Sequence, residues 1–242
     1  MGFFRYKCRH HIASTGLATG ATVGSSTITA ALGSFTSNTA TLQITNTLAY
    51  VSNLSSGAVT ICTVDSDAGT LSDCATTGCD TDILTANSVA LNPLGTMAYV
   101  ADLNSNAAFL CSINASTGLF DSCDDSGAGA VFANTLHVLL NADGSKAYVH
   151  DDGAVLLCDV SASTGALSNC VDSGFTGVSG LWIFSLNTAN TRMYLPRSFF
   201  SINTIYVCDV NATTGALSNC ADAATDGDET VSFSGSVGVV LN

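Results

Sequence analysis

Three residue types in this chain could do chemistry, and their spacing decides which of them can. Ten cysteines come first. Eight form pairs at an interval of 12: Cys62 with Cys74, Cys111 with Cys123, Cys158 with Cys170, and Cys208 with Cys220. Cys8 and Cys79 are left over. No CxxC pair occurs, which argues against a zinc ribbon, a thioredoxin-like site or haem attachment. An even, high cysteine count suits disulfides in an oxidising setting. The four histidines are His10, His11, His137 and His150. A zinc site needs three or four converging ligands, and the spacing offers none, although His137 and His150 flank one expected hairpin. The acidic clusters Asp65-Ser-Asp67, Asp124-Asp125, Asp151-Asp152 and Asp226-Gly-Asp228-Glu229 are oxygen-rich loops of a kind calcium takes. They lack the EF-hand spacing, and Asp is also a common turn former. No cofactor is therefore expected, calcium being the one cation these loops could suit.

Serine is abundant, yet no GxSxG elbow occurs and no Ser/His/Asp set can be singled out. Lactonase-type chemistry would need metal carboxylates or a His and Arg group around a pore. Arg192 and Arg197 sit near one Tyr-bearing strand and read as a local ion pair. Asn53-Leu-Ser, Asn114-Ala-Ser and Asn211-Ala-Thr are glycosylation sequons, but the last two coincide with hairpin turns that need Asn for their own reasons. Trp182 reads as a core residue. No catalytic residue and no metal ligand is assigned, and the chain is expected not to be an enzyme.

The elements that must position these residues repeat. Ala49-Tyr50-Val51, Ala98-Tyr99-Val100, Ala147-Tyr148-Val149 and Met193-Tyr194-Leu195 recur at intervals of 49, 49 and 46. A cysteine pair follows each. Upstream of the tyrosine lies a short apolar strand ending in Asn, as in Ser88-Val-Ala-Leu-Asn92 and His137-Val-Leu-Leu-Asn141. Four short strands in a period in the high forties predict an all-β protein, a β-propeller of about five four-stranded blades. The midpoint of each cysteine pair falls one residue before Gly69, Gly118, Gly165 or Gly215. Such a glycine supplies the positive φ of a hairpin turn, so the two cysteines are expected directly opposite each other on neighbouring strands, within disulfide reach. Four disulfides inside single blades are expected. The Tyr residues of the repeat are expected in the core.

The AYV strand, the xLN turn before it and the hairpin after it resemble the YVTN class of β-propeller repeats, and CxVxAxTGxLxxC is similar to cysteine-bearing repeats of secreted or surface proteins of bacteria. The likeness covers about four fifths of the chain. It implies the propeller fold but no single function, since lactonases and adhesive surface proteins both belong to this class.

The ends carry parts of a repeat. Val237-Gly-Val-Val-Leu-Asn242 matches a first strand, Phe4-Arg-Tyr-Lys-Cys8 matches Ile205-Tyr-Val-Cys208, and Ala13-Ser-Thr-Gly-Leu17 matches Ala115-Ser-Thr-Gly-Leu119. One domain spanning 1–242 is expected, with 1–22 and 237–242 contributing strands to a shared or split blade. Residues 23–41 form an extra arm or connection. Phe4, Tyr6 and Cys8 alternate with Arg5, Lys7 and Arg9, so a basic strand faces an acidic body. Together with Val237, Val239 and Leu241 it makes a candidate assembly strand, and Cys8 and Cys79 a candidate extra or intersubunit disulfide.

Composition bounds the function. Six Lys and Arg against 19 Asp and Glu give a net charge of -13, which argues against nucleic-acid binding, because phosphate neutralisation needs cations. No run of 18 apolar residues occurs, so membrane insertion is not expected. The setting is read as extracellular or cell-surface, with the signal peptide absent from this sequence. Two readings follow. In the first the chain is a non-catalytic structural protein that self-assembles, as a filament or other polymer of copies of itself, through terminal-strand complementation. In the second it is a monomeric secreted propeller that binds a small molecule or glycan, or a lactonase-like hydrolase. The ligand is not readable.

Overall fold

In three of the repeats an apolar strand turns sharply into the tyrosine strand, and an asparagine side chain makes that turn. Asn92 Oδ1 accepts from the amides of Thr96 and Met97 at 2.9 and 3.1 Å. Asn141 Oδ1 does so from Lys146 at 3.0 Å, and Asn187 Oδ1 from Thr191 and Arg192 at 2.8 and 3.0 Å. A carboxamide that takes up backbone donors left over by a turn is the usual reason for Asn there.

The computed structural model describes residues 47–77, 83–127, 132–178, 180–199, 202–225 and 239, and the backbone of 24–28, 31–32, 35–36 and 40–44. It is all-β, with no helix among these residues. Contacts divide the chain into two compact units, Met1–Ala49 with Thr63–Asp73, and Tyr50–Cys62 with Cys74–Asn242.

In the first unit β1 (Gly24–Ile28) and β4 (Ala40–Ile44) pair antiparallel, from Gly24 with Ile44 to Ile28 with Ala40. The short strands β2 (Ala31–Leu32) and β3 (Phe35–Thr36) pair with each other. The segment upstream of Tyr50 thus pairs with β1, not with the tyrosine strand. Only Thr45 and Asn46 join β4 to that strand. The longer Asn-to-Gly connection of Asn92–Gly95 and Asn141–Gly144, which folds a first strand back onto its tyrosine strand, is missing here.

The remaining sheets are sequential antiparallel meanders. The first holds β5 (Thr47–Ser52), β6 (Val59–Val64) and β7 (Leu71–Thr76). The second is β8 (Ala86–Leu91), β9 (Met97–Asp102), β10 (Ala107–Ile113) and β11 (Phe120–Asp125). The third is β12 (Val138–Leu140), β13 (Lys146–Asp151), β14 (Ala154–Val160) and β15 (Leu167–Phe175). The fourth is β16 (Ser185–Leu186), β17 (Arg192–Phe199), β18 (Ile202–Val210) and β19 (Leu217–Thr225). The fold class is the expected one, all-β blades with a disulfide hairpin in each of these four sheets.

The disulfides are Cys62–Cys74, Cys111–Cys123, Cys158–Cys170 and Cys208–Cys220, each within one sheet. Each joins the last two strands of its sheet across the glycine turn, with Cα atoms 4.0–4.1 Å apart. At the turn Gly69, Gly118, Gly165 and Gly215 have φ between 67° and 80°, and each glycine amide donates to the carbonyl four residues back at 2.8 Å.

As expected, the two cysteines of a pair stand opposite each other, at the same 4.0–4.1 Å between Cα atoms in all four. Cys111 and Cys123 are register partners in the β10–β11 ladder. The register Leu157 with Val171 and Val207 with Ala221 leads to Cys158 opposite Cys170 and Cys208 opposite Cys220, and the ladders shift register just beyond, before Asp159 and Asp209. The physical reason is a bulge. Asn169 and Asn219, each one residue before the second cysteine, take positive φ, as does Asp73 before Cys74. The sequence offers that signal in the Asn-Cys and Asp-Cys dipeptides, but only the bulge explains them. Burial also differs within a pair. Cys62, Cys111, Cys158 and Cys208, on the strand before the turn, are all buried. On the outer strand Cys123 is buried, Cys170 and Cys220 are half-buried and Cys74 is exposed.

The core is a series of layers between consecutive sheets. Tyr99, Ala101, Phe132, Val138, Val149 and Leu167 form one layer, and Tyr148, Leu157, Phe184, Leu195 and Leu217 lie in the next. One contact recurs from sheet to sheet. Tyr50 Oη donates to the Gly118 carbonyl at 2.9 Å, Tyr99 to Gly165 at 2.6 Å, and Tyr148 to Gly215 at 2.8 Å. Each of these repeat tyrosines is thereby bolted to the hairpin turn of the next sheet. Burial raises the pKa of all three phenols, Tyr148 to about 12, so they stay protonated donors. Tyr99→Phe keeps the ring and strips the buried Gly165 carbonyl of its donor. It should cost about 1–3 kcal/mol, read as a lower urea midpoint at unchanged slope, with Tyr194→Phe as the comparison outside these three contacts.

Candidate functional site

The segment entering β12 carries the chemistry. Residues 134–137 are held open rather than paired as strand, because polar side chains take up their backbone groups. Asn87 Nδ2 donates to the Leu136 carbonyl at 2.6 Å, and Ser88 Oγ accepts from the Val138 amide at 3.0 Å. His137 emerges from this segment beside His150 of β13, whose amide donates to the His137 carbonyl at 2.8 Å. The two histidines that flank one hairpin in the sequence are therefore neighbours.

His137 is 8 % exposed. Its ring stands edge-on to Phe184, centroids 4.6 Å apart, and its Nε2 lies 3.0 Å from the Phe184 carbonyl. A carbonyl can only accept, so the Nε2 carries the proton and Nδ1 is left with a lone pair. That Nδ1 is buried and has no hydrogen-bond partner among the described residues. Thr135 Oγ1, two residues earlier, is in the same condition. Desolvation is the largest influence on the imidazole and lowers its pKa to about 4; the Phe184 carbonyl opposes this and nearby His150 adds to it. His150 is lowered too, by burial first, against the opposing Asn134 carbonyl and the charges of Asp151 and Asp152. Both rings are neutral at neutral pH.

His137 forms part of the wall of an open pocket of about 410 Å³ along the first strands of the second and third sheets. Val89, Leu91, Pro93, Leu139 and Leu140 supply most of the remaining surface, and Asn141 is its other polar side chain. A mostly apolar concavity with few polar groups is the usual form of a small-molecule site. No Lys or Arg lines it. Sequence reasoning placed His137 beside His150 but missed the orphaned nitrogen, which depends on Phe184, a residue 47 positions away.

The other residues singled out in the sequence do not join this pocket. The eight paired cysteines, Cys123, Cys170 and Cys220 among them, are spent on the hairpin staples and leave no thiol for chemistry. Asp65 caps its own turn, accepting from the amides of Asp67 and Ala68 at 2.9 and 2.6 Å, and Asp151 accepts from the Ala133 amide. No group of three or more metal-ligating side chains gathers among the described residues. Arg192 pairs with Asp209 across β17 and β18. Trp182, expected in the core, is 36 % exposed: its Nε1 reaches the Ser198 carbonyl at 3.4 Å at the sheet surface. Cys8, Cys79, the strand Phe4 to Arg9, Val237 and Leu241 lie outside the described residues. Val239 is described, and is half-buried. A residue the sequence did not mark is Asp102. Fully buried, it accepts from the amides of Leu84, Thr85 and Ser105 and from the Thr85 hydroxyl at 2.5–3.0 Å. Burial alone would raise its pKa, but these bonds outweigh it and hold the carboxyl below its ordinary value.

No family model matches the sequence, and no curated protein does. Solved structures do. A protein described as a candidate 6-phosphogluconolactonase from Bacteroides fragilis matches with a TM-score of 0.52 at 18 % identity, over 73 % of this chain and 53 % of its own. A second such protein, from Bacteroides uniformis, matches with a TM-score of 0.50 at 15 % identity, over 72 % and 49 %. A chain in a nidogen–laminin complex matches with a TM-score of 0.55 at 11 % identity, over 74 % and 62 %. The chain spans about half to three fifths of the length of these structures. They are β-propeller proteins, so the fold is that of a propeller. The resemblance to YVTN-type repeats remains one of motif.

The expectation that the chain is not an enzyme is corrected. It rests on the lack of a serine elbow or a clustered triad. Proteins described as lactonases are built on this fold, and a site assembled from the ends of separate strands needs no local motif, so the exclusion does not stand. The four disulfides place the chain in an oxidising, non-cytoplasmic setting.

The depressed pKa of His137 has a consequence for stability. Between about 4 and the ordinary 6.5 the unfolded chain binds a proton that the folded chain does not, so stability rises with pH. The contribution is present in full above pH 6.5 and is lost as pH falls towards 4, by about 3 kcal/mol. Urea unfolding at half-unit steps from pH 7 to 4 should show this decline, with a shallower slope in His137→Phe.

Proposed function

We propose that this chain supplies the ligand pocket of a lactonase-like propeller, and that the pocket takes a small uncharged lactone along the first strands of the second and third sheets. The observation that carries the reading is the imidazole of His137, its Nδ1 without a partner among the described residues, in the wall of a mostly apolar cavity. The likeness in fold to proteins described as 6-phosphogluconolactonases supports the reaction class.

The chemistry asked of the chain is modest. Hydrolysis adds water to the ester carbonyl, breaks the bond to the ring oxygen and yields a hydroxy acid. His137 Nδ1 is closed to solvent here and must be uncovered as the ligand enters; it then accepts the proton of the attacking water and returns it to the departing ring oxygen. The Phe184 carbonyl holds the Nε2 proton in place, which keeps the lone pair on Nδ1. A general base of this kind contributes about 10²- to 10⁴-fold. The walls set the substrate. A phosphorylated lactone would bring two negative charges to a pocket without Lys or Arg in a chain of net charge -13, whereas an alkyl-substituted ring meets Val89, Leu91 and Leu139.

The test is hydrolysis of δ-decalactone, glucono-1,5-lactone and 6-phosphogluconolactone by the disulfide-intact protein and by His137→Phe. The expected order is δ-decalactone first and the phosphorylated ring last. kcat/KM should fall about 100-fold or more in the variant, and activity should fade below about pH 4, where Nδ1 takes up a proton. A wild-type protein that hydrolyses none of the three above background, or a folded His137→Phe with full activity, sinks the reading.

A further inference from the structure

The grooves beside two successive tyrosine bolts are built alike and filled differently. Where Tyr99 meets Gly165, the side chain of Met97 lies over the glycine so closely that an added Cβ would collide with its sulfur. In the same repeat Pro93 packs on the first turn of the next sheet, 2.6 Å from where a Cβ on Gly144 would stand. One repeat later the bolt is Tyr148 to Gly215, and both side chains are gone. Ala142 stands for Pro93, and Lys146 stands for Met97. Lys146 is drawn aside, because its cross-strand neighbour is Asp159, where Met97 has Ser112. Its Nζ lies 2.5 Å from the Asp159 carboxylate. The atoms nearest a Cβ on Gly215 belong to Tyr148 and Leu157, at 3.1–3.4 Å. A groove of about 260 Å³ results, lined by Asp143, Lys146, Asn190, Asn211 and Thr213 over Tyr148.

From this we infer a second binding site, for a neutral saccharide unit, between the third and fourth sheets. The chemistry of the lining selects that class. Asn211 Oδ1 is engaged by the amides of Thr213 and Thr214 at 2.9 Å, which leaves its NH₂ as a donor with no partner among the described residues. Asp143 uses one carboxylate oxygen on Ser145, and its other oxygen is an acceptor. Carboxamides, a carboxylate and the Thr213 hydroxyl, spaced around a tyrosine, match ring hydroxyls, which donate and accept at once. An anion finds no free cation in the groove, since Asp159 neutralises Lys146. An apolar ligand would strip water from these groups without replacing their hydrogen bonds. A peptide is less suited, because the polar groups belong to turns and present no open strand edge to extend. The groove meets the His137 pocket at Asn141 and Ala142, but Asp143, Asn190, Asn211 and Thr213 do not line that pocket, and the inference does not rest on the lactone reading.

The experiment uses the whole chain with its disulfides intact, titrated by NMR with methyl β-glucoside, methyl α-mannoside and N-acetylglucosamine, and with glucose 6-phosphate and a Gly-Ser-Asn peptide for comparison. At least one neutral sugar should shift the side-chain amides of Asn190 and Asn211. The double substitution Ala142→Pro with Lys146→Met copies the filling of the neighbouring groove and should weaken binding at least tenfold. Asn211→Asp keeps the acceptor that caps the turn, removes the NH₂ donor, and should weaken binding about as much if the double variant proves unstable. His137→Phe should leave it unchanged. No shift with any neutral sugar, preference for the phosphate or the peptide, or full binding in both groove variants overturns the proposal.

Discussion

The hydrogen bond from a repeat tyrosine to the carbonyl of the next sheet's hairpin glycine is the contact on which the arrangement depends. It requires three things at once. The hairpin must turn through a residue with positive φ, which the glycines at 118, 165 and 215 supply. The same residue must lack a side chain, since the phenol oxygen lies 3.1 Å from where a Cβ on Gly165 or Gly215 would be. And the hairpin must keep its register so that the carbonyl faces the phenol. The disulfide just behind the turn, Cys111–Cys123, Cys158–Cys170 or Cys208–Cys220, holds that register by closing a short loop. A buried carbonyl without its donor would cost more than the bond itself contributes, so each bolt discriminates against misplaced sheets more than it adds to stability.

Because the bolts hold consecutive sheets together, the residues between them are free to vary, and function can be placed there. Between the second and third sheets, first-strand residues from two repeats leave an apolar pocket with one imidazole in its wall. That imidazole is neutral because it is buried, and its tautomer is set by a carbonyl from the fourth sheet's entry segment. Its character as a base is thus a product of packing and is not carried by any neighbour in sequence. The groove beside Tyr148, which meets that pocket at Asn141 and Ala142, shows the same freedom. There two substitutions relative to the neighbouring repeat, and one cross-strand ion pair, turn a filled space into an open one.

The acidic composition bears on both places. With six cations in the chain and Lys146 and Arg192 each already paired with an aspartate, neither concavity has charge to offer an anion. Uncharged, hydroxyl- or ester-bearing ligands are what such surfaces can hold, and polar recognition falls to carboxamides, hydroxyls and one imidazole.

The sequence by itself determined the repeat. The tyrosines at intervals of 49, 49 and 46, the cysteines 12 apart and the glycine between them are local facts, and a four-stranded meander with a stapled hairpin follows from strand alternation and turn chemistry within some fifty residues. Even Asn92, Asn141 and Asn187 could be read as turn formers. What tertiary structure decided lies mostly between repeats. That Tyr99 serves Gly165, 66 residues away, that Phe184 rather than a carboxylate orients His137, and that β4 pairs with β1 instead of the tyrosine strand, are choices among partners distant in sequence. So is the difference between Met97, which fills its groove, and Lys146, which leaves one open. A local pattern specifies how a strand bends and which face it shows; it cannot specify which of several similar neighbours that face will meet, because that depends on contacts whose energy exists only once the sheets are packed.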